Sequence, residues 1–378
     1  YLAFLDPPKD TASKAIAALR QHGVAVKVLT GDNDLVTRKV CSEVGIHTDK
    51  ILLGNDVERM SDQQLAEVID STDIYARLSP AHKKRVVQAL QKKRHVVGFM
   101  GDGINDAPAL RAADVGISVD NAVDIAKESA DMILLEKNLM VLEEGVIEGR
   151  KVFANILKYI RMGASSNFGN VFSYVGASAL LKFSPMWPLQ ILVNNLLYDF
   201  SQVPIPTDNV GEQYTSRPRP WHFGEITKFI LFIGPISSIF DYTTFCVMLF
   251  FFKCDNLGLM PHDMAARFAG VTDPDKTYAA ALFHTGWFVE SLMTQTLIVH
   301  VIRTSLLPFI QSRASWQLTM TTILIMAIAA VLPYSPLAAP LGFVPLPWQF
   351  WPILAGTLVC YVGLTQIIKM WLVRRGWI

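Results

Sequence analysis

From Val152 onward the chain passes through one long apolar run after another, with its charges gathered between them. No other feature constrains the fold as tightly. A segment inside hydrocarbon must satisfy every backbone N–H and C=O internally, which leaves helices or a closed barrel. Runs of about 20 apolar residues suit helices. Six spans are expected, at about 152–181, 185–206, 226–252, 280–302, 316–334 and 349–372. Residues 1–150 are mixed and charged, so the overall 51% hydrophobic share and the mean hydropathy of +0.31 describe an integral membrane protein carrying a soluble head.

Six crossings return both ends of the membrane region to one side. Arg217, Arg219, Arg303, Arg313, Arg374 and Arg375 fall in or beside segments on the head's side, and the far loop 335–348 carries no charge. That asymmetry places the head in the cytoplasm. The first span is expected to continue the helix leaving the head. About 30 residues make ~45 Å, more than a ~30 Å hydrocarbon core, so a stalk bearing Lys151, Lys158 and Arg161 is expected there. A net charge of +1 argues against a nucleic-acid partner. Cys41, Cys246, Cys254 and Cys360 show neither CxxC nor zinc spacing and read as buried thiols, with no disulfide framework implied. The opening Tyr-Leu-Ala-Phe-Leu-Asp reads as a strand in progress, so the chain is expected to begin mid-domain.

The head alternates strands and helices. Strands are expected at Tyr1–Leu5, Val24–Leu29, Ile74–Leu78, Val96–Met100, Val115–Val119 and Met132–Leu135. Helices are expected from Lys9 to His22, closing at Gly23, from Asp34 to Val44, closing at Gly45, and from Pro80 to Lys93. The stretch between Gly45 and Ile74 is read as looser. Such alternation implies an α/β, Rossmann-like, parallel doubly wound sheet with ligands at the carboxyl ends of its strands. Three points fall there: Asp6 with Pro7-Pro8, the loop Thr30-Gly31-Asp32-Asn33, and Asp102 with Asp106.

The third point is the octet Gly101-Asp102-Gly103-Ile104-Asn105-Asp106-Ala107-Pro108, between a hydrophobic strand and a helix. Two carboxylates and an amide at a strand end suit Mg²⁺ beside a phosphoryl group, since Mg²⁺ takes oxygen ligands, usually one or two carboxylates with phosphate and water. The glycines let backbone approach an anion closely, and a helix N-terminus adds positive potential. For a lone Gly-Asp-Gly, an acidic turn capped by Asn or Asp is an equally good reading. Thr30 adds a hydroxyl, Gly31 an amide and Lys83 a mobile charge. Phosphoryl transfer is largely positioning and charge stabilisation, so this equipment suffices for it.

Asp6-Pro7-Pro8, Thr30-Gly31-Asp32-Asn33, Ala81-His82-Lys83, the octet and Ala112-Ala113-Asp114-Val115-Gly116-Ile117 occur in the order of the phosphorylation-domain motifs of P-type cation pumps, which the whole chain resembles. The resemblance implies a haloacid-dehalogenase-like head followed by an all-α bundle of six transmembrane helices. It implies that Asp102, with Asp106, binds a catalytic Mg²⁺ whose shell Asn105 and Asp106 shape. Lys83, Thr30 and Gly31 would contact the transferred phosphoryl, and Asp32 would support the nucleotide, ATP. The family's phosphorylated aspartate is not identifiable here. Asp6 lacks the Lys-Thr-Gly context and reads as structural or hinge-related. The chain therefore reads as the C-terminal portion of a pump, with the N-terminal portion as its missing partner and no ATP hydrolysis alone.

Polar residues within the spans carry the transport question. Asn167, Asn170 and Ser173 recur at i, i+3 and i+6, and Asn195, Asp199 and Gln202 at i, i+4 and i+7, ahead of Pro204 and Pro206. Glu290 sits mid-span in the fourth run, which also holds His284 and His300. An ionisable group at bilayer depth costs ~2.5–3.5 kcal/mol or more and marks a functional candidate. Against this stand interhelical amide bonding for Asn167 and Asn170, a structural ion pair for Asp199, and packing or a partner helix for Asp241. By resemblance, Asn167, Asn170, Asn195, Asp199 and Glu290 are candidate ligands of the transported ion. Calcium pumps carry glutamate at the position of Asn170 and threonine at that of Tyr198, so the carboxylate count here is low for Ca²⁺. The stretch Leu192–Asp208 resembles bacterial magnesium-translocating P-type ATPases. That implies Mg²⁺ uptake across the inner membrane, where lipids, anionic phospholipid among them, surround the spans. The alternatives are a pump for Ca²⁺, a monovalent cation or H⁺, a membrane-anchored phosphatase, or a non-catalytic scaffold fragment.

Overall fold

The computed structural model describes residues 11–136, 138–181, 183–219, 223–254 and 274–377. Asp6, Pro7, Pro8 and the strand expected at Tyr1–Leu5 lie outside the described residues. The chain divides into two compact units, one running to Lys151 and taking in Glu212–Pro218, the other comprising Val152–Gly211 and Arg219–Ile378.

The first unit is α/β. Its elements are α1 (Ala12–Gln21), β1 (Val28–Leu29), α2 (Asp34–Glu43), β2 (Ile51–Leu53), α3 (Gly54–Arg59), α4 (Asp62–Val68), β3 (Ile74–Ala76), α5 (Pro80–Lys92), β4 (Gly98–Met100), α6 (Ala107–Leu110), β5 (Val115–Val119), α7 (Asp124–Ser129) and β6 (Met132–Leu134). They form two three-stranded parallel sheets, ordered β1-β3-β2 and β4-β5-β6. All three residues of the central β3 are buried, the continuous apolar pattern of a covered parallel strand. Turn chemistry sets the boundaries. Gly23 and Gly45 close α1 and α2 at φ +73° and +79°, a conformation L side chains resist. The Asn33 side chain caps α2 through Val36 N at 2.9 Å. Ser61 and Gln64 cap α4 reciprocally. Ser79 starts α5 with Pro80 at its first position.

The stretch read as loose from the sequence is ordered, since β2, α3 and α4 fill it. These elements are three to seven residues long, too short to establish a period. Burial fixes them instead: Leu52, Val57, Leu65 and Ile69 pack with Tyr75 and Val86 in one cluster.

The second unit is helical. It contains α8 (Met140–Leu180) from Val152 onward, α9 (Pro188–Gln202), α11 (Phe223–Cys246, prolonged by a π turn at Val247–Phe251), α12 (Pro274–Ile302), α13 (Trp316–Val331) and α14 (Phe350–Arg374). A short α10 (Glu212–Thr215) belongs to the first unit. The core of the second unit is aromatic and aliphatic, with Phe229, Phe283, Phe288, Phe343 and Phe350 buried in it. Among the described residues, three helical segments are long and apolar enough to cross a membrane: Phe223–Phe251, Trp316–Tyr334 and Phe350–Arg374. Six spans were expected. The other three helices bear the candidate ion ligands, and α9 has only 15 residues; polar side chains and shortness keep them below that threshold.

α8 and α11 cross closely through small residues. A Cβ at Gly169 would stand 2.0 Å from Ser237 Oγ and 2.9 Å from Gly234 O. Ser238 Oγ donates to Gly169 O at 3.0 Å. Membrane helices associate by such backbone approach, because hydrocarbon offers no hydrophobic force between them.

Candidate functional site

The first unit gathers polar side chains at the carboxyl ends of its strands. β1 runs into Thr30, whose backbone is bonded to β3 and to the segment just beyond it: Thr30 N to Tyr75 O at 3.0 Å, and Leu78 N to Thr30 O at 3.0 Å. Arg77, which adopts φ 54°, donates its N–H to Asp32 O at 2.8 Å. The Thr30 loop is thus fixed beside the entry of α5. Thr30 Oγ1 donates to Asp32 Oδ2 at 2.8 Å and accepts from Asp32 N at 3.1 Å. Its hydroxyl hydrogen is committed within the loop, while exposed Gly31 leaves its amide accessible.

Lys83 lies in the first turn of α5. Its Nζ reaches Asp106 Oδ1 at 2.7 Å, and both side chains are mostly buried. Asp106 Oδ2 accepts from Gly103 N at 3.1 Å. Gly101 makes this fit possible, since a Cβ there would meet Asp106 Cβ at 2.4 Å and Cγ at 2.6 Å. The segment beyond is a 3₁₀ turn (Ile104–Asp106) followed by the four-residue α6. The helix expected there is therefore short, and its dipole contributes little.

Asp102 differs from Asp106. It is exposed at the end of β4, its carbonyl accepts from Val123 N at 3.1 Å, and among the described residues its carboxylate has no ion-pair partner. Asn105 is exposed as well. The two octet carboxylates divide two tasks. Asp106 pins Lys83, and Asp102 presents free oxygens beside it. That donor set, oxygen only and open to solvent, fits Mg²⁺ with part of its water shell kept.

Elsewhere in this unit the electrostatics are those of a solvated surface. Lys92 and then Arg85, hydrogen-bonded to Asp62, hold its carboxyl below the usual carboxylate range. Lys93 does the same for Asp70. Burial pushes the Cys41 thiol and the Tyr75 phenol up.

In the second unit the candidate ion ligands fall into different settings. Asn167, Asn195 and Asp199 are exposed, and Asn170 is half-buried. Asn170 Oδ1 accepts from Gln295 Nε2 at 3.0 Å. Gln295 also donates to Ser291 Oγ at 2.6 Å and accepts from Ser166 Oγ at 3.0 Å, so one amide ties α8 to α12. Glu290 is buried with neither carboxyl oxygen hydrogen-bonded, and its carboxyl meets that of Asp241. On α9 the inward residues are Asn194, Tyr198, Ser201 and Gln202, and Asn194 Nδ2 donates to Phe288 O at 3.3 Å. The arc expected from Asn195 through Asp199 to Gln202 therefore straddles a boundary: its last member is buried and its first two are exposed.

Sequence reasoning passed over Asn194, Gln295 and Asp208 as functional candidates. Asn194 adjoins Asn195, and Gln295 lies five residues beyond Glu290, steps that leave the helix face of the singled-out residue, so spacing did not point to either. Asp208 ended a stretch already singled out. It is the hub of a buried cluster: Lys158 Nζ lies at 2.7 Å and Arg303 Nε at 3.4 Å from Oδ2, and Ser315 N donates to Oδ1 at 3.1 Å.

Comparison with known proteins bears on both units. Residues 183–371 match the family described as cation transporting ATPase, C-terminus, and residues 1–114 match haloacid dehalogenase-like hydrolase. Magnesium-transporting ATPase, P-type 1, from Salmonella typhimurium LT2 is 54% identical over 378 residues, all of this chain and 40% of that protein. Its namesake from Escherichia coli K12 is 53% identical over the same span, again 40% of its length. Probable cation-transporting ATPase F from Mycobacterium tuberculosis H37Rv is 38% identical over 201 residues, 51% of this chain and 22% of that protein. The chain spans about two fifths of the length of the magnesium-transporting relatives it matches.

Proposed function

The chain belongs to the cation-transporting ATPases of the P type, and from that premise we propose that it forms part of the phosphorylation domain and the C-terminal membrane helices of a pump importing Mg²⁺ into the bacterial cytoplasm. The observation that carries the reading is the Lys83–Asp106 pair, 2.7 Å apart, beside the unpaired carboxylate of Asp102 at the end of a parallel strand. Lysine held by one aspartate next to a second, open aspartate is equipment for a phosphoryl group and its metal. Asp102 would hold the catalytic Mg²⁺, which supplies charge neutralisation at the phosphoryl oxygens when bound. Lys83, kept in place by Asp106, adds positive charge next to it. The Gly31 amide and Thr30 position the phosphoryl group, Asp32 holds the Thr30 hydroxyl, and Asn105 borders the metal shell. ATP is the phosphoryl donor of the whole pump. The haloacid dehalogenase-like match over residues 1–114 supports this reading of the head.

In the same proposal all six helices of the second unit cross the inner membrane, with residues 1–150 in the cytoplasm and lipid, including anionic phospholipid, around the bundle. Asn167, Asn170, Asn195 and Asp199 offer oxygens to the transported ion, and Glu290 adds a buried carboxylate. The magnesium-transporting names of relatives at 53–54% identity support Mg²⁺ over other ions.

The test is rescue of a Mg²⁺-uptake-deficient bacterium on limiting Mg²⁺ by the full-length parent, with Asp102→Asn and Asp199→Asn alongside and expression checked by blot. Rescue by the parent alone is expected. Failure of a well-expressed parent overturns magnesium import, and rescue by Asp199→Asn removes that residue from the ion shell.

A further inference from the structure

α8, α11 and α12 bring two carboxyl groups together in the core of the second unit with no cation beside them. Asp241 on α11 accepts from Ser173 Oγ of α8 at 2.6 Å and from Trp287 Nε1 of α12 at 2.9 Å. Glu290 follows Trp287 by three residues, less than one helical turn, so both point to the same side of α12, and its carboxyl meets that of Asp241. The two residues are 3% and 1% exposed. Tyr361 of α14 lies near both. Neither oxygen of Glu290 has a hydrogen-bond partner, and among the described residues neither carboxylate has an ion-pair partner.

A buried charge is tolerated when paired or bound to a metal, and two adjacent carboxylates double that demand. Lysine and arginine are present in this unit, but Lys158 and Arg303 are engaged by Asp208 and Lys369 by the carbonyls of Val301 and Leu306. The ligand atoms on offer, from the two carboxyls and Ser173 Oγ, are oxygens, which select a hard cation over a soft one, while the Trp287 N–H orients Asp241 through Oδ1. Ser173 spends its hydrogen on Asp241 and keeps lone pairs for a metal. Two carboxylates are also the number by which Mg²⁺ is usually held, the rest of its shell being neutral oxygen. On α8 the site continues a polar row already described, since Ser173 follows Asn170 by three residues.

We propose that Asp241, Glu290 and Ser173 form a divalent-cation site inside the helix bundle, with Asp241 as a ligand that sequence spacing does not reveal. The inference rests on the reading of the chain as part of a cation pump, and it adds Asp241 and Ser173 to the oxygens proposed for the transported ion.

The experiment uses the full-length pump in lipid nanodiscs, carrying Asp102→Asn to silence the catalytic metal, and follows its melting temperature against Mg²⁺ without nucleotide. Mg²⁺ is expected to raise the melting temperature. Asp241→Asn is expected to move the midpoint of that rise to higher Mg²⁺, on the order of tenfold or more, because affinity at such sites follows ligand charge. Glu290→Gln, a second isosteric change, should do the same if Asp241→Asn expresses poorly. Unshifted midpoints in both variants overturn the site. So does a carboxylic-acid C=O infrared band, present without metal and lost in Glu290→Gln, because the pair then shares a proton. Uptake, measured with Asp102 intact, separates the two levels. A pump that imports Mg²⁺ equally well with Asp241→Asn retains the proposed function and loses this site. A pump that imports no Mg²⁺ yet shows the Asp241-dependent midpoint loses the function and retains the site.

Discussion

Replacing Asp208 with asparagine should be the most destabilising isosteric change in the second unit. The carboxylate is completely buried and serves three groups: Lys158 Nζ at 2.7 Å, Arg303 Nε at 3.4 Å and the N–H of Ser315 at 3.1 Å. The neutral amide can still accept from Ser315, so the cap of α13 survives. Its charge is lost, and two cations remain in the interior without a counter-ion. Lys158 keeps a bond to Asn209 O at 2.9 Å, and Arg303 keeps Ser312 Oγ and the Arg313 carbonyl. These neutral acceptors hold the cations only in part. Removing one partner of a buried pair costs about 3–5 kcal/mol, and at 1.4 kcal/mol per factor of ten the lower bound is already more than a hundredfold in the folding equilibrium. The assay is thermal unfolding of the purified full-length pump, with a double-mutant cycle through Lys158→Met. Asp208→Asn with Lys158→Met should be more stable than Asp208→Asn alone, because the second change removes a stranded charge. A single variant within about 1 kcal/mol of the parent, or a double variant less stable than the single, would mean that Asp208 does not hold the two cations.

Gly101→Ala should express and fold yet lose most phosphoenzyme formation, because its Cβ would stand 2.4 Å from Asp106 Cβ and drive that side chain from Lys83; acid-stable phosphate incorporation in the full-length pump checks this. Gly169→Ala should cost about 1–3 kcal/mol through overpacking, since the new methyl meets Ser237 Oγ at 2.0 Å and Gly234 O at 2.9 Å; a melting temperature equal to the parent's would show that the α8–α11 crossing relaxes freely. The Asp62 carboxyl is held down by Lys92 and Arg85, and a depressed carboxylate contributes stability that is present above its unfolded pKa, about 3.9, and lost as pH falls through the folded value. Unfolding of the parent and of Asp62→Asn should therefore converge in acid, with the difference near neutral pH shrinking in high salt.

Much of the head was legible because its signals are local. Gly23 and Gly45 end helices by adopting positive φ, Asn33 and Ser79 cap α2 and α5, and Val115–Val119 is a strand at the residues expected. β2, α3 and α4 were not legible. Three to seven residues complete at most two turns, and only the packing of Leu52, Val57 and Leu65 against Tyr75 and Val86 makes them regular. In the second unit the long apolar runs announced helices. On α9 Asn194 is buried and Asn195, a step of about 100° away, is exposed, a distinction that two adjacent asparagines do not reveal in the sequence.

The chemistry available to this protein is written in short local stretches of the chain. An aspartate-rich octet after a hydrophobic strand, a threonine-glycine loop and a lysine behind Ser-Pro are readable in order, because strand ends and helix starts are encoded within a few residues of each other. Pairing was decided only by the tertiary structure. Lys83 and Asp106 are 23 residues apart, Lys158 and Asp208 are 50, and Ser173 and Asp241 are 68. Which aspartate holds a lysine and which stays open to a metal depends on those long-range contacts. A buried charge must be satisfied by whatever group the fold brings within about 3 Å, and the identity of that group is a property of packing.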